Sequence, residues 1–387
     1  MKPADMLKAA PTPHENEALA EAERQRATSR ITALPSRLTV ESTTICNLRC
    51  VMCTHSFNGV DRPRHMPDEV IDKIAEAMRT ARILMLHGIG EPLAAPAFWR
   101  VLERKLYHPE TQLAINTNLQ LLNDRKLDQL LACEAQITIN VSIDAATERT
   151  YRRIRGADFN VVIDNIRKII SRRNGDNPRI IMNMTLMREN IDEVIPFIEM
   201  AKDLGVSEVQ MWHLNQWDKE FLENFRQTRE DGWEFDYEAQ GLWNYPALSN
   251  ATLHAATKRA EELGVTLGMG AGKTIYFAEE EEEEEEEEEN EEPQQPLPES
   301  SQTVKDCTYP WKGMVVYADG SVRPCCYAAR NVGNLNHQSF DEIWNGRDMR
   351  RLRLYCEEDA ISPICANSVC MYVQNTLARR KAKPSHF

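Results

Sequence analysis

Three cysteines fall on one short stretch, CysAsnLeuArgCysValMetCys at 46–53, in the spacing C-x3-C-x2-C. Three thiolates on one loop can face a single metal centre. A structural zinc takes four ligands, usually from two C-x2-C pairs, whereas three cysteines on a four-iron cluster leave one iron open to a non-protein ligand. Six more cysteines gather near the C-terminus: Cys307, Cys325, Cys326, Cys356, Cys365 and Cys370. In a long chain without a signal-peptide pattern, such grouping points to metal binding rather than a disulfide framework. The solitary Cys133 reads as a small buried hydrophobe.

These residues need a scaffold, and the hydrophobic pattern from residue 37 supplies one. Short apolar runs at 37–43, 82–87, 112–116, 136–142, 179–185 and 208–213 read as strands. They alternate with amphipathic stretches near 68–80, 97–106, 123–132, 159–173 and 189–204 that read as helices. Strand and helix in alternation imply βα units and a parallel sheet. Six such units describe a partial (β/α)6 barrel, an α/β fold whose chemistry sits on the loops after the strand ends. The cysteine triplet follows the first of those strands.

Residues 1–36 are polar and helix-forming, a leader expected to pack on the barrel at 37–215. Residues 216–278 form an irregular connector with a helix near 252–263. Residues 279–303, opening on the unbroken run Glu279 to Glu289, read as a disordered acidic linker that cannot build a core. Residues 304–387 form a small cysteine-rich α+β domain.

Placed after the first strand, the triplet resembles the signature of the radical S-adenosylmethionine (SAM) superfamily. That resemblance implies a [4Fe-4S] cluster on Cys46, Cys50 and Cys53, with the amino and carboxylate groups of SAM on the open iron. It implies reductive cleavage of SAM to methionine and a 5′-deoxyadenosyl radical that abstracts hydrogen from a substrate. Met52, where the family often has an aromatic residue, would lie against the adenine.

Three further segments resemble the family. HisGlyIleGlyGluProLeu at 87–93 is similar to its GGEP motif, which binds the methionine amino group; Gly88 belongs to the turn, and Gly90, Glu91 and Pro92 carry the match. Read alone, Gly-x-Gly-Glu-Pro would be an ordinary glycine turn; its place after the second strand, downstream of the triplet, favours function. AsnValSerIleAspAla at 140–145 resembles the family's serine/aspartate turn, with Ser142 at the methionine carboxylate and Asp144 as an orienting group. Arg155 suits a carboxylate in its planar geometry, though a helix arginine paired with Glu148 is the plain alternative. IleAsnThrAsn at 115–118 resembles the Asn-rich turn after the third strand.

The C-terminal cysteines follow a second pattern. ValValTyrAlaAspGlySerValArgPro at 315–324 carries the AspGly signal of a hairpin, which would bring Cys307 and Cys325 together, with Cys365 and Cys370 completing a four-cysteine site. With Gly320 to Cys325 as a Gly-x4-Cys element and ValGlyAsnLeu at 332–335, this tail resembles the SPASM and twitch auxiliary-cluster domains. Six cysteines imply one auxiliary [4Fe-4S] cluster rather than two; four-cysteine zinc is the alternative. Cys326 and Cys356 read as packing thiols or as hydrogen-atom donors.

The net charge of −14 contains eleven glutamates from the acidic run, leaving the rest nearly balanced. No basic face points to nucleic acid, and no apolar run approaches the ~20 residues that span a bilayer, so a cytoplasmic protein is expected. GlyMetGlyAlaGlyLysThr at 268–274 fails as a phosphate loop because Leu267 stands where a glycine is required. A small polar substrate, sugar- or aminocyclitol-like, is expected to be oxidised or epimerised, with a peptide substrate as the alternative. A flavodoxin- or ferredoxin-like donor would supply electrons. The rival class is a non-catalytic zinc scaffold.

Overall fold

The computed structural model describes residues 10–57, 62–216, 226–270, 302–366 and 370–382. The glutamate run and nearly all of the expected linker lie outside them.

The six expected strands form a contiguous parallel run: β1 (Arg37–Val40), β2 (Ile83–Met85), β3 (Gln112–Thr117), β4 (Gln136–Ser142), β5 (Arg179–Leu186) and β6 (Glu208–His213). Their alternation is plain in burial. Ile137, Ile139 and Val141 are wholly buried beneath the helices, while Thr138, Asn140 and Ser142 face the concave side and are only partly covered. The covering helices are α1 (Pro13–Gln25), α2 (Thr54–Phe57), α3 (Asp68–Thr80), α4 (Pro96–Glu103), α5 (Asp124–Leu131), α6 (Glu148–Arg155), α7 (Phe159–Arg172) and α8 (Val194–Asp203).

The sheet continues past the six. Two short antiparallel strands, β7 (Arg226–Thr228) and β8 (Glu234–Asp236), make a separate hairpin. Then β9 (Thr266–Met269) pairs parallel to β6, extending one edge. At the other edge β10 (Gly313–Val316) pairs parallel to β1, followed by β11 (Ser321–Arg323) and β12 (Gly333–Asn334), both antiparallel. The connector helix begins earlier than its apolar pattern suggests, at Pro246, and runs to Leu263 because proline suits a first helical turn. The expected hairpin is present, its turn made by Gly320 at φ +79°. β1 and β6 are thereby interior strands, and the sheet ends instead at β12 and β9.

The leader joins this assembly. Asn16 donates to Leu34 O and Thr80 O at 2.9 and 3.1 Å. Trp311 and Trp344 donate their indole N–H groups to Thr28 O and Ala33 O. Arg353, with no exposed surface, donates to Pro310 O, Ser29 O and Trp344 O and stacks on the Trp344 ring at 4.8 Å. The leader thus ties the cysteine-rich segment to the barrel. Among the described residues no helix is long and apolar enough to cross a membrane.

Candidate functional site

The cysteine loop leaves β1 at its C-terminal end and is held from all sides. His55 Nδ1 accepts from Arg49 at 3.1 Å, which leaves Nε2–H to donate to Thr44 O at 2.8 Å and close the loop on itself. Glu91 N donates to Ile45 O and Val51 N to Ile154 O, each at 2.9 Å. Asn118 donates to Asn47 Oδ1 at 3.0 Å and lies 4.0 Å from the Cys46 sulfur. Arg229, on the loop between β7 and β8, donates to Arg49 O, Arg153 O and Ile154 O, fastening the loop to the last turn of α6. Cys50 is buried, and burial pushes its thiol up to about 11. A metal centre with positive iron is what would hold such a thiol deprotonated.

The glycine turn after β2 meets this loop at van der Waals limits. A Cβ on Gly90 would stand 2.5 Å from Thr43 O and 2.6 Å from Ile45 O. One on Gly88 would stand 2.2 Å from the Glu41 side chain. Both positions therefore require glycine for close approach. Glu91 is buried, accepting from Thr117 Oγ1 at 2.5 Å, Asn118 N at 2.9 Å and Leu93 N at 3.1 Å, with Pro92 buried beside it. Burial raises its pKa above the ordinary carboxylate value against those hydrogen bonds. The glutamate thus organises the turn after β3.

Asp144 follows β4 with φ +64°, a left-handed conformation that aspartate tolerates better than most residues. Its Oδ1 accepts from Thr185 N at 2.6 Å, and Oδ2 is ion-paired with Arg155. Arg155 also places Nη1 3.6 Å from the Cys50 sulfur. Burial opposes the Arg155 charge, but Asp144 and Cys50 outweigh it and raise its pKa. The partner of Glu148 is Arg152, at 2.7 Å, so the plain alternative for Arg155 is not what the fold uses. Ser142 is half-buried at the end of β4, in register with Asn183 of β5. Met52 packs against the apolar cluster of Val51, Ile154, Met187, Leu214, Phe235 and Tyr237, beside Trp233 and Trp243.

The C-terminal thiols share a second site. Cys307, Cys325, Cys356, Cys365 and Cys370 line one cavity closed by Pro310, Leu352, Tyr309 and Tyr372. Burial pushes the Cys325 and Cys365 thiols up to about 12. Cys356 hydrogen-bonds to Cys307 and is buried, so it belongs to this cavity rather than to general packing. Cys326 is exposed and does not line this cavity. Among the described residues no three His, Cys, Asp or Glu converge on one point as ligands of a single ion would. The five thiols line one cavity, and thiolates of this kind are the ligands that an iron–sulfur cluster would take.

Glu41, His55, Glu193 and Arg229 were not expected from sequence. Glu193 accepts from Ala146 N, Thr147 N and two threonine hydroxyls, fixing the start of α6 and hence the direction of Arg155. Glu41 accepts from Ile89 N at 2.9 Å and Ala318 N at 3.2 Å, joining the glycine turn to the C-terminal hairpin. Glu41, Glu193 and Arg229 act through chain-distant partners, which no local spacing reveals, whereas His55 closes its own loop through Arg49 and Thr44.

Comparison with known proteins follows the same two sites. The radical SAM superfamily model matches residues 40–201, and the SPASM iron–sulfur cluster-binding domain model matches residues 307–371. The chain is 26% identical over 328 residues to the AdoMet-dependent heme synthase of Methanosarcina barkeri, spanning 84% of this chain and 86% of that one. It is 25% identical over 174 residues to the mycofactocin maturase MftC of Mycobacterium ulcerans, covering 45% of this chain and 46% of the relative. In three dimensions it is similar to Streptococcus suis SuiB bound to S-adenosylmethionine, with a TM-score of 0.57, 13% identity, and 87% and 71% of the two chains covered. A further structure of SuiB holds its precursor peptide SuiA, with a TM-score of 0.57, 13% identity, and 91% of this chain and 74% of that one covered.

Proposed function

The chain belongs to the radical SAM superfamily and carries a SPASM domain, and from that premise we propose that it removes hydrogen from a small polar substrate held inside the barrel, oxidising or epimerising it. When bound, the first [4Fe-4S] cluster and SAM supply a reducing electron and a 5′-deoxyadenosyl group able to take a hydrogen atom. Cys46, Cys50 and Cys53 hold that cluster. Gly88, Gly90, Glu91 and Pro92 shape the wall facing the methionine end of SAM, with Ser142 at the end of β4, Asp144 in the turn after it, Arg155 in the last turn of α6, and Met52 toward the adenine. Cys307, Cys325, Cys365 and Cys370 hold one auxiliary cluster, which accepts or relays electrons. A flavodoxin- or ferredoxin-like protein is the donor.

The observation carrying the substrate reading is the concave face of the sheet. Asn116 stands in register with Asn140, and Ser142, Asn183 and Gln210 stand in register across β4, β5 and β6. Among the described residues, His87 Nδ1 and Asn183 Oδ1 have no hydrogen-bond partner although buried. Burial lowers the His87 pKa, favouring a neutral ring. Buried acceptors left open in this way call for a ligand that donates hydrogen bonds, such as one with hydroxyl or amino groups. A peptide substrate is the second reading, supported by the precursor peptide bound to SuiB.

Anaerobic reconstitution with iron and sulfide, followed by SAM and dithionite, is expected to yield 5′-deoxyadenosine. Replacing Cys46, Cys50 and Cys53 together by Ala is expected to abolish it while iron remains in the C-terminal domain. Zinc without iron or labile sulfide in anaerobically prepared protein would select the scaffold reading instead.

A further inference from the structure

Beside the cysteine loop, on the side of β10, lies an open cleft of about 530 Å³. One wall is Glu41 and Thr44 from the end of β1. Another is Arg62 and Arg64. The third is the hairpin of β10 and β11, with Tyr317, Asp319, Ser321, Arg323 and nearby Asn331. Three arginines therefore line one space.

The acids there are already occupied. Glu41 gives one oxygen to Ile89 N and the other to Ala318 N. Asp319 Oδ1 takes both the amide and the hydroxyl of Ser321, at 2.9 and 2.6 Å. Among the described residues neither acid makes an ion pair with the arginines, and Arg62 and Arg64 pair with no acid. Arg64 is positioned by its backbone, accepting from Thr44 N at 2.9 Å and donating to Thr44 Oγ1 at 3.0 Å. Arg323 is held by Asn331 Oδ1 at 3.0 Å and by the Tyr317 ring, 5.3 Å from its guanidinium carbon. Positioned arginines with donors to spare are what bidentate recognition of an oxyanion uses.

We propose that this cleft binds a carboxylate of the substrate, with Arg62, Arg64 and Arg323 as the binding residues. Three cations against two carboxylates leave one formal positive charge, which suits a monoanionic carboxylate better than a phosphate dianion. Glu41 and Thr44 lead into the cysteine loop, and Glu41 also accepts from Ile89 N of the glycine turn, so a group held in the cleft lies beside both. The inference rests on the substrate-binding reading above and adds a charge requirement to it.

The test uses the full-length, anaerobically reconstituted protein. Glutarate and the peptide triglutamate serve as small-molecule and peptide sources of carboxylate, with triglutamine and inorganic phosphate as controls, all followed by calorimetry at low ionic strength. At least one carboxylate probe is expected to bind, with triglutamine silent, binding weakened by added salt, and about tenfold or greater loss in Arg64→Gln/Arg323→Gln. The exposed single variant Arg62→Gln is expected to weaken binding in the same direction and guards against misfolding of the double variant, whose iron content and unfolding midpoint are checked alongside. No carboxylate binding by the wild type, binding indifferent to these arginines, or tighter binding of phosphate overturns the proposal. Wild-type 5′-deoxyadenosine formation, measured on the same preparation, reports separately on the radical reading.

Discussion

Arg155 is shared between the Asp144 carboxylate and the Cys50 thiol, its Nη1 lying 3.6 Å from the sulfur. Both members of the ion pair are nearly sealed, with side-chain exposures of 11% and 1%. Removing one member of a buried pair leaves the other charge uncompensated, at a cost of roughly 3–5 kcal/mol. Arg155→Met is therefore expected to lose about that much stability in anaerobic urea unfolding and to retain less iron on the triplet. Asp144→Asn is expected to do the same through the opposite partner. A change below about 0.5 kcal/mol in Arg155→Met, within the range of ordinary surface substitutions, would mean that the pair does not support the loop.

Gly90 tests whether the glycine turn and the cysteine loop act as one piece. The nearest atoms to an added Cβ are backbone oxygens of Thr43 and Ile45, which have no rotamer to change. Gly90→Ala is expected to cost about 1–3 kcal/mol, as overpacking does, and to displace the segment leading into Cys46. Iron and labile sulfide per chain should fall at the first site only, measured in a background where Cys325 and Cys365 are Ala. Unchanged iron there would separate the turn from the cluster loop.

Much of this was legible because strand and helix periods differ and because cysteine is rare. Ile137, Ile139 and Val141 announce β4 by alternation alone, and the triplet stands out by spacing. What stayed hidden depends on distant partners. The ValVal of β10 reads correctly as a hairpin, but nothing local says that it also pairs with β1, far away in sequence. Glu41 looks like a polar strand end until Ala318 arrives to use it. Cys356 sits on a helix, where a thiol commonly packs; only the fold of helix Arg347–Glu357 over Cys307 puts it in the cavity.

Arg353 fastens the leader to the C-terminal segment. It has no exposed surface, and its three carbonyl partners belong to three separate segments. Burial acts against its charge, lowering its pKa. Arg353→Met keeps much of the volume but strands three carbonyl oxygens, each worth about 1–3 kcal/mol when left unsatisfied. A loss of about 3 kcal/mol or more is expected in equilibrium unfolding. The leader should become more open to limited proteolysis near Ser29. Wild-type resistance at Ser29 together with full stability would show that Trp311 and Trp344 carry the fastening alone.

The auxiliary site offers five thiols where a four-iron cluster takes four. Cys307 and Cys356 lie within hydrogen-bonding distance of each other, so they cannot both reach separate irons without one moving away. We expect Cys356 to yield, because Cys307 follows directly on the short turn Val304–Asp306 and lines the cavity with Cys325, whereas Cys356 is fixed in the last turn of a helix. In protein lacking the first triplet, Cys307→Ala, Cys325→Ala, Cys365→Ala and Cys370→Ala should each lose most of the remaining iron. Cys356→Ala should keep it, as should Cys326→Ala, whose exposed thiol lies off the cavity wall. Iron retained in Cys370→Ala but lost in Cys356→Ala would reverse the assignment and make the helix thiol the fourth ligand.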